Sequence, residues 1–163
     1  MEKDQFVSVM KEHRNLIFKI CNSYCANPEN RKDLQQEIFI QLWKSFKKFD
    51  GRVKISTWIY KVALNTAIFF YRKDSKHNNN KTVSLDADVI TLAHMEPETQ
   101  LDENIAMLYK FIGQLNELDK ALILLYLDDN KQRDIADILG LSETNVATKI
   151  SRIKKNLKEQ FKA

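Results

Sequence analysis

Glycine and proline are scarce in this chain, with 3 and 2 among 163 residues. So few breakers exclude a chain of many tight turns and leave a mostly helical one. Only 2 cysteines occur, Cys21 and Cys25. They stand one helical turn apart, a poor geometry for a disulfide. With His13 remote and no second ligand pair, they read as packed thiols on a cytosolic helix. The longest apolar run, 121–127, is far too short to span a bilayer, so no membrane insertion is expected. The charged opening Met1-Glu2-Lys3-Asp4, with no long apolar stretch after it, is not a signal peptide, and the protein is expected in the cytoplasm. His13, His77 and His94 sit in unrelated contexts, and no glycine loop could cradle a phosphate. Asp128-Asp129 reads as a surface turn rather than a metal pair. No catalytic residue, metal or cofactor is therefore expected.

Positive charge is present but unevenly placed. The chain carries 26 Lys and Arg against 22 Asp and Glu, a formal charge of +4. Residues 1–76 hold 15 cations and 8 anions, 77–104 hold 1 and 6, and 105–163 hold 10 and 8. Within the last segment, 142–163 holds 6 cations and 2 anions. Two basic segments separated by an acidic one suit a protein that touches a polyanion at two places.

The strongest local pattern is KQRDIADILGLSETNVATKISRIKKNL at 131–157. It predicts two helices joined by a tight turn. Ile135, Leu139 and Leu141 are apolar anchors, and Ala136 is small where two helices must approach. Gly140 falls where a left-handed turn would end the first helix. Ser142 is a natural N-cap for the second, and Glu143 suits the positive end of its dipole. Val146, Ile150, Ile153 and Leu157 then define one apolar face. The other face carries Thr144, Asn145, Thr148, Ser151, Arg152 and Lys155. Short polar groups at the start and cations toward the end fit a helix seated in a major groove.

Earlier in the chain, Phe6, Val9, Met10, His13, Ile17, Ile20 and Tyr24 recur at helical spacing over 4–24. The run Asn27-Pro28-Glu29-Asn30 breaks that helix. A second is expected over 31–47, with Leu34, Ile38, Leu42 and Phe46 in one stripe and Phe39 and Trp43 in a neighbouring one. Its remaining surface, Asp33, Gln35, Gln36, Glu37 and Gln41, is polar but poor in lysine and suggests a partner face. A third helix is expected over 57–73. There Trp58, Tyr60, Phe69, Phe70 and Tyr71 are interleaved with Lys54, Lys61, Arg72 and Lys73. One helix cannot bury every ring, and rings beside cations hold unstacked bases. Residues 74–104 show no sustained period and read as a linker. Helices resume near 101, and LDKALILLYL at 118–127 is apolar nearly all round, as a central helix would be.

Three of these stretches, in this order, resemble the bacterial RNA polymerase sigma factors of the sigma-70 family, extracytoplasmic-function subfamily. DLQQEIFIQLW at 33–43 is similar to the family's polymerase-docking helix, DLVQEVFLRLW. TWIYKVALN at 57–65, with Arg72 further on, is similar to its promoter-melting and minus-ten-reading segment, TWLYRIARN. Asp134-Ile135-Ala136, Leu139-Gly140 and Val146 match its helix-turn-helix, EIAxxLG followed by TV. The resemblance covers nearly the whole chain; the middle domain of larger sigma factors is replaced by the acidic linker. Asn145 stands for the usual Thr, Ala147 for a common Lys, Lys149 for the common Arg, and Asn130 for a frequent apolar residue. These departures bear on the promoter sequence, not on the class.

The resemblance implies an all-α fold of two small helical domains joined by a flexible linker. Residues 1–76 would dock on the polymerase and recognise and melt the minus-ten element. Residues 77–103 would form the linker, and 104–163 the helix-turn-helix domain that recognises the minus-thirty-five element. It implies polymerase contacts from Asp33, Gln36, Glu37 and Gln41. Minus-ten contacts would come from Lys54, Ser56, Trp58, Tyr60, Lys61, Asn65 and Arg72. Minus-thirty-five contacts would come from Thr144, Asn145, Thr148, Lys149, Arg152 and Lys155. Core RNA polymerase and promoter DNA are the expected partners, an anti-sigma factor is admitted, and the free protein is expected to be a monomer. A free-standing dimeric helix-turn-helix regulator is the alternative; a helical nucleic-acid enzyme, lacking any motif, comes third.

Overall fold

Helical spacing and sparse breakers translate into helices in both halves of the chain. The computed structural model describes residues 2–25, 27–72 and 103–162, and every regular element among them is an α-helix. The chain divides into two compact units, Met1–Gln100 and Leu101–Ala163. The first holds α1 (Glu2–Tyr24), α2 (Pro28–Phe46) and α3 (Ile55–Arg72). The second holds α4 (Glu103–Gly113), α5 (Glu117–Leu127), α6 (Gln132–Leu139) and α7 (Glu143–Lys162). Nearly all of the segment read as a linker, with His77, Asp86, Asp88, His94 and Pro97, lies outside the described residues.

In the first unit each helix packs on both others. Phe6, Met10, Ile17 and Ile20 of α1 meet Leu34, Ile38, Phe39 and Leu42 of α2, all fully buried. From α3 come Ile59, Ala63, Leu64 and Ala67, also fully buried. Ala63 and Ala67, one turn apart, keep the buried side of α3 small where it packs on its neighbours. Around one end of this core runs an aromatic chain. The ring of Phe6 meets Trp43 edge-on at 5.0 Å and Phe46 at 5.3 Å. Trp58 lies 6.1 Å from Phe46 and 5.2 Å from Phe49. Such pairs contribute about 0.5–1.5 kcal/mol each beyond area burial.

Two boundaries differ from expectation. The Asn27-Pro28 step does not only end α1; it starts α2 three residues earlier than the spacing suggests. Asn27 Oδ1 accepts from the amides of Glu29 at 2.7 Å and Asn30 at 3.3 Å, and Pro28 takes the first helical position, where its missing N–H is no loss. α3 likewise starts at Ile55, with the Trp58 amide donating to the Lys54 carbonyl at 3.1 Å. Gln35, grouped with the polar face of α2, is instead 5% exposed and belongs to the inner side.

In the second unit α5 is central, packing on α4, α6 and α7. Its Ala121, Leu122, Ile123, Leu124 and Leu125 are all buried. Asn116 caps it, its Oδ1 accepting from the Asp119 amide at 2.9 Å while its Nδ2 donates to the Asp119 carboxylate at 3.2 Å. At the other end Asp129 takes a left-handed backbone, φ 61°, and Asn130 turns back. The Asn130 amide and side chain both donate to the Leu125 carbonyl, at 3.2 and 2.9 Å. This explains a polar residue where the family often has an apolar one: it closes the end of α5.

Candidate nucleic-acid interface

α6 and α7 form the helix-turn-helix. Gly140 ends α6 with φ 71°, and the amides of Gly140 and Leu141 both donate to the Ala136 carbonyl. Ser142 Oγ accepts from the Asn145 amide at 3.1 Å, which caps α7. Ile135, Ala136 and Ile138 are buried beneath the turn, with Ile138 deeper than the half-buried Leu139 and Leu141. Val146, Ile150 and Ile153 hold α7 to the core, at 0%, 3% and 3% exposure. That register turns Thr144, Asn145, Thr148, Ser151, Arg152 and Lys155 outward together, all exposed. Lys149 sits half-buried at the edge of this face. Lys154 points elsewhere: its Nζ donates to the Tyr126 hydroxyl at 3.0 Å and lies 5.0 Å from that ring's centre, tying α7 to α5.

In the first unit, α3 and the preceding loop gather the other set. The loop turns at Gly51, φ 79°, and Asp50 fixes it by accepting from the Arg52 amide at 3.1 Å and pairing with its guanidinium at 3.0 Å. Lys54 is exposed at the mouth of α3 and Ser56 is half-buried. Lys61, Asn65 and Arg72 are exposed on one face of the helix. The rings divide differently than the spacing implied. Tyr60 is 3% exposed, so its expected place at the DNA is corrected: it faces the core beside Ile59, Ala63 and Leu64. Trp58 is half-buried, its ring engaged by Phe46 and Phe49. Tyr71 is 46% exposed but turns toward Tyr24, ring to ring at 6.4 Å. Phe69, left out of the expected site, is 60% exposed.

On α2, Asp33, Glu37 and Gln41 follow one another a turn apart. Asp33 is exposed; Gln36, Glu37 and Gln41 are half-buried, and Gln41 Nε2 donates to Glu37 Oε1 at 2.9 Å. The pair is a ready-made neutral–acidic surface for a basic or amide-rich partner.

Comparison with known proteins decides the family. Residues 9–77 match the family model for Sigma-70 region 2, and 105–157 match that for Sigma-70, region 4. The ECF RNA polymerase sigma factor SigW of Bacillus subtilis is 22% identical over 99% of this chain and 91% of its own. The chain is an extracytoplasmic-function sigma factor. Another relative, the RNA polymerase sigma factor YlaC of Bacillus subtilis, is 28% identical over 82% of this chain and 78% of its own. Among solved structures, CnrH in complex with the cytosolic domain of CnrY superposes with a TM-score of 0.67 at 19% identity, covering 98% of this chain and 89% of that one. RpoE from Bartonella quintana, in complex with the anti-sigma factor NepR, gives 0.67 at 18% identity, covering 96% and 98%. These likenesses show the fold.

As an extracytoplasmic-function sigma factor, the protein binds core RNA polymerase, directs it to promoters and helps open the DNA. The free-standing regulator is not favoured, because most of α1 and all of α2 and α3 fall within the region 2 match. Sigma factors are initiation factors rather than catalysts. Two features of this sigma factor stand apart from its interfaces. Cys21 and Cys25 are not joined in a disulfide; burial pushes the Cys21 thiol well above its usual range, Cys25 beside it adds to that, and Arg31 opposes it. Among the described residues no helix is long and apolar enough to cross a membrane.

Proposed function

We propose a division of this work among named residues. Asp33, Gln36, Glu37 and Gln41 on α2 meet the polymerase. Lys54, Ser56, Lys61, Asn65 and Arg72 meet the minus-ten element, with Trp58 bracing the loop from its place between Phe46 and Phe49. Thr144, Asn145, Thr148 and Lys149 lie at base edges of the minus-thirty-five element, and Arg152 and Lys155 hold phosphate. Residues 1–76 and 104–163 are the working domains, joined by the acidic 77–103, and the protein acts in the cytoplasm, as a monomer when free, without catalysing a reaction. The observation that carries this is the α7 register. Burial of Val146, Ile150 and Ile153 forces the short polar residues and then the cations onto one open face.

An anti-sigma factor belongs in the same proposal. Support comes from CnrH and RpoE, which were solved with the cytosolic domain of CnrY and with the anti-sigma factor NepR. The deciding experiment is reconstitution. The purified protein should co-elute with core polymerase and give promoter-specific transcripts, and exchanging Gln36 and Glu37 for lysine should weaken co-elution while the helical content stays. Unchanged affinity of that variant in a competition assay would remove α2 from the polymerase interface.

A further inference from the structure

The C-terminal end of α1 carries both cysteines of the chain. α1 ends at Tyr24, and Cys25 is the first residue past it. Cys25 still keeps helical register, because its amide donates to the Cys21 carbonyl at 3.0 Å. The two side chains therefore leave the same side of the helix, one above the other. Cys21 is fully buried and Cys25 half-buried. Burial holds the Cys21 thiol protonated, Cys25 is near enough to add to that, and the Arg31 guanidinium opposes both.

This end of α1 is keyed to both neighbouring helices. Asn22 Oδ1 accepts from the Arg31 guanidinium of α2 at 3.3 Å, and the Tyr24 ring meets Tyr71 of α3 at 6.4 Å. Just beyond it, Asn27 caps α2. Side chains one turn apart on a helix have Cβ atoms about 5–6 Å apart. A disulfide needs about 3.5–4.5 Å. The pair can therefore bond only if the chain at Cys25 leaves helical register. The local cost is small, since Cys25 lies past the last helical residue and helix ends fray. A disulfide closed under such strain is of the labile kind that reductants reverse.

We propose that Cys21 and Cys25 are a modification site, a thiol pair that hydrogen peroxide closes into a reversible disulfide, opening the end of α1 and loosening α2 behind it. The half-buried Cys25 meets the oxidant. Its sulfur takes one peroxide oxygen to become a sulfenic acid, and the other oxygen leaves as water. The Cys21 sulfur then attacks the sulfenic sulfur. The S–S bond forms, the S–O bond breaks, and the hydroxyl leaves as water with the Cys21 proton. In sum the two thiols lose two electrons and two protons, and the peroxide becomes two waters. Leaving register draws Asn22 from Arg31 and Tyr24 from Tyr71. The oxidised protein should then bind core polymerase less well; this consequence, unlike the disulfide itself, rests on the reading that α2 meets the polymerase.

The test treats the full chain with hydrogen peroxide. Intact mass and maleimide capture after unfolding should show both thiols consumed and two hydrogens lost, reversed by dithiothreitol. Hydrogen exchange should quicken in the peptide spanning 19–25 and stay as before in α7. Co-elution with core polymerase should weaken roughly five- to thirtyfold, what one or two lost weak contacts are worth. Cys25→Ser, a near-isosteric change, should bind core polymerase like the parent and ignore the peroxide. Cys21→Ala should stop at the sulfenic acid on Cys25, which dimedone traps. Two intact thiols after treatment would overturn the proposal. So would oxygen added to Cys25 of the parent without a disulfide, a disulfide between two copies, or one that left exchange at 19–25 unchanged. A disulfide with faster exchange but undiminished co-elution would uphold the modification site and overturn only its coupling to the polymerase. Equal loss of co-elution by peroxide-treated Cys25→Ser would trace the loss to methionine oxidation and overturn that coupling as well.

Discussion

α7 and α3 both bury one face and offer another to solvent, and the offered faces differ in chemistry. On the open face of α7 stand Thr144, Asn145 and Thr148, then Arg152 and Lys155; the helix's exposed ring, Phe161 at 41%, falls on the side of Ile150 and Leu157 instead. On the open face of α3 stand Lys61, Asn65, Phe69 and Arg72. Short polar side chains reach base edges in an intact groove without forcing the pairs apart. A large ring has no use there, but it is what an extruded base requires. The contrast fits one helix for duplex DNA and one for DNA already open. It also fits the different foundations of the two helices. α7 is set by local punctuation, Gly140 and Ser142, whereas α3 is set by its fit against α1 and α2.

The largest expected effect treats the two helices alike. Leu64→Ala in α3 and Ile150→Ala in α7 each remove a buried anchor, 0% and 3% exposed, and should destabilise their own unit by about 2–5 kcal/mol in urea unfolding. A markedly smaller loss at either would mean that helix is not held by its inner face. Next comes Gly140→Ala. An added Cβ would meet nothing within 4 Å, so only the left-handed backbone, φ 71°, opposes it. The expected loss is about 1–2 kcal/mol, confined to the second unit. Ser142→Ala should follow at about 1 kcal/mol, from losing the 3.1 Å bond to the Asn145 amide. If removing these two residues left the second unit's transition unmoved, local punctuation would not be what sets α7.

Much of this was legible because it is local. A glycine, a cap and apolar residues at 146, 150 and 153 define the turn and the inner face of α7 whatever lies around it. The rings of α3 were not separable in that way. Trp58, Tyr60, Phe69, Phe70 and Tyr71 spread over more than half of the helix circumference, and which of them point inward depends on where α1 and α2 lie. A usable clue was present in Ala63 and Ala67, small residues one turn apart that mark the side of close approach, with Tyr60 beside them and Phe69 away from them. Gln35 was misplaced for a similar reason, since its polarity argued for the surface while its place around the helix, between the fully buried Leu42 and Phe39, put it inside. The start of α2 was hidden because Asn27-Pro28 reads equally as a break and as a cap with proline at the first helical position.

If α7 meets duplex DNA and α3 opened DNA, as proposed, the two helices must respond to different probes. The most direct test is a crossed comparison of two asparagines, Asn145 on α7 and Asn65 on α3, both exposed. Holoenzymes carrying Asn145→Ala or Asn65→Ala would be titrated against a duplex bearing only the minus-thirty-five element and against a pre-opened minus-ten probe. Each lost base contact should cost about 1–3 kcal/mol. The account predicts that Asn145→Ala loses affinity for the duplex alone and Asn65→Ala for the opened probe alone. Equal losses by either variant on both probes, or losses in the opposite pairing, would contradict it.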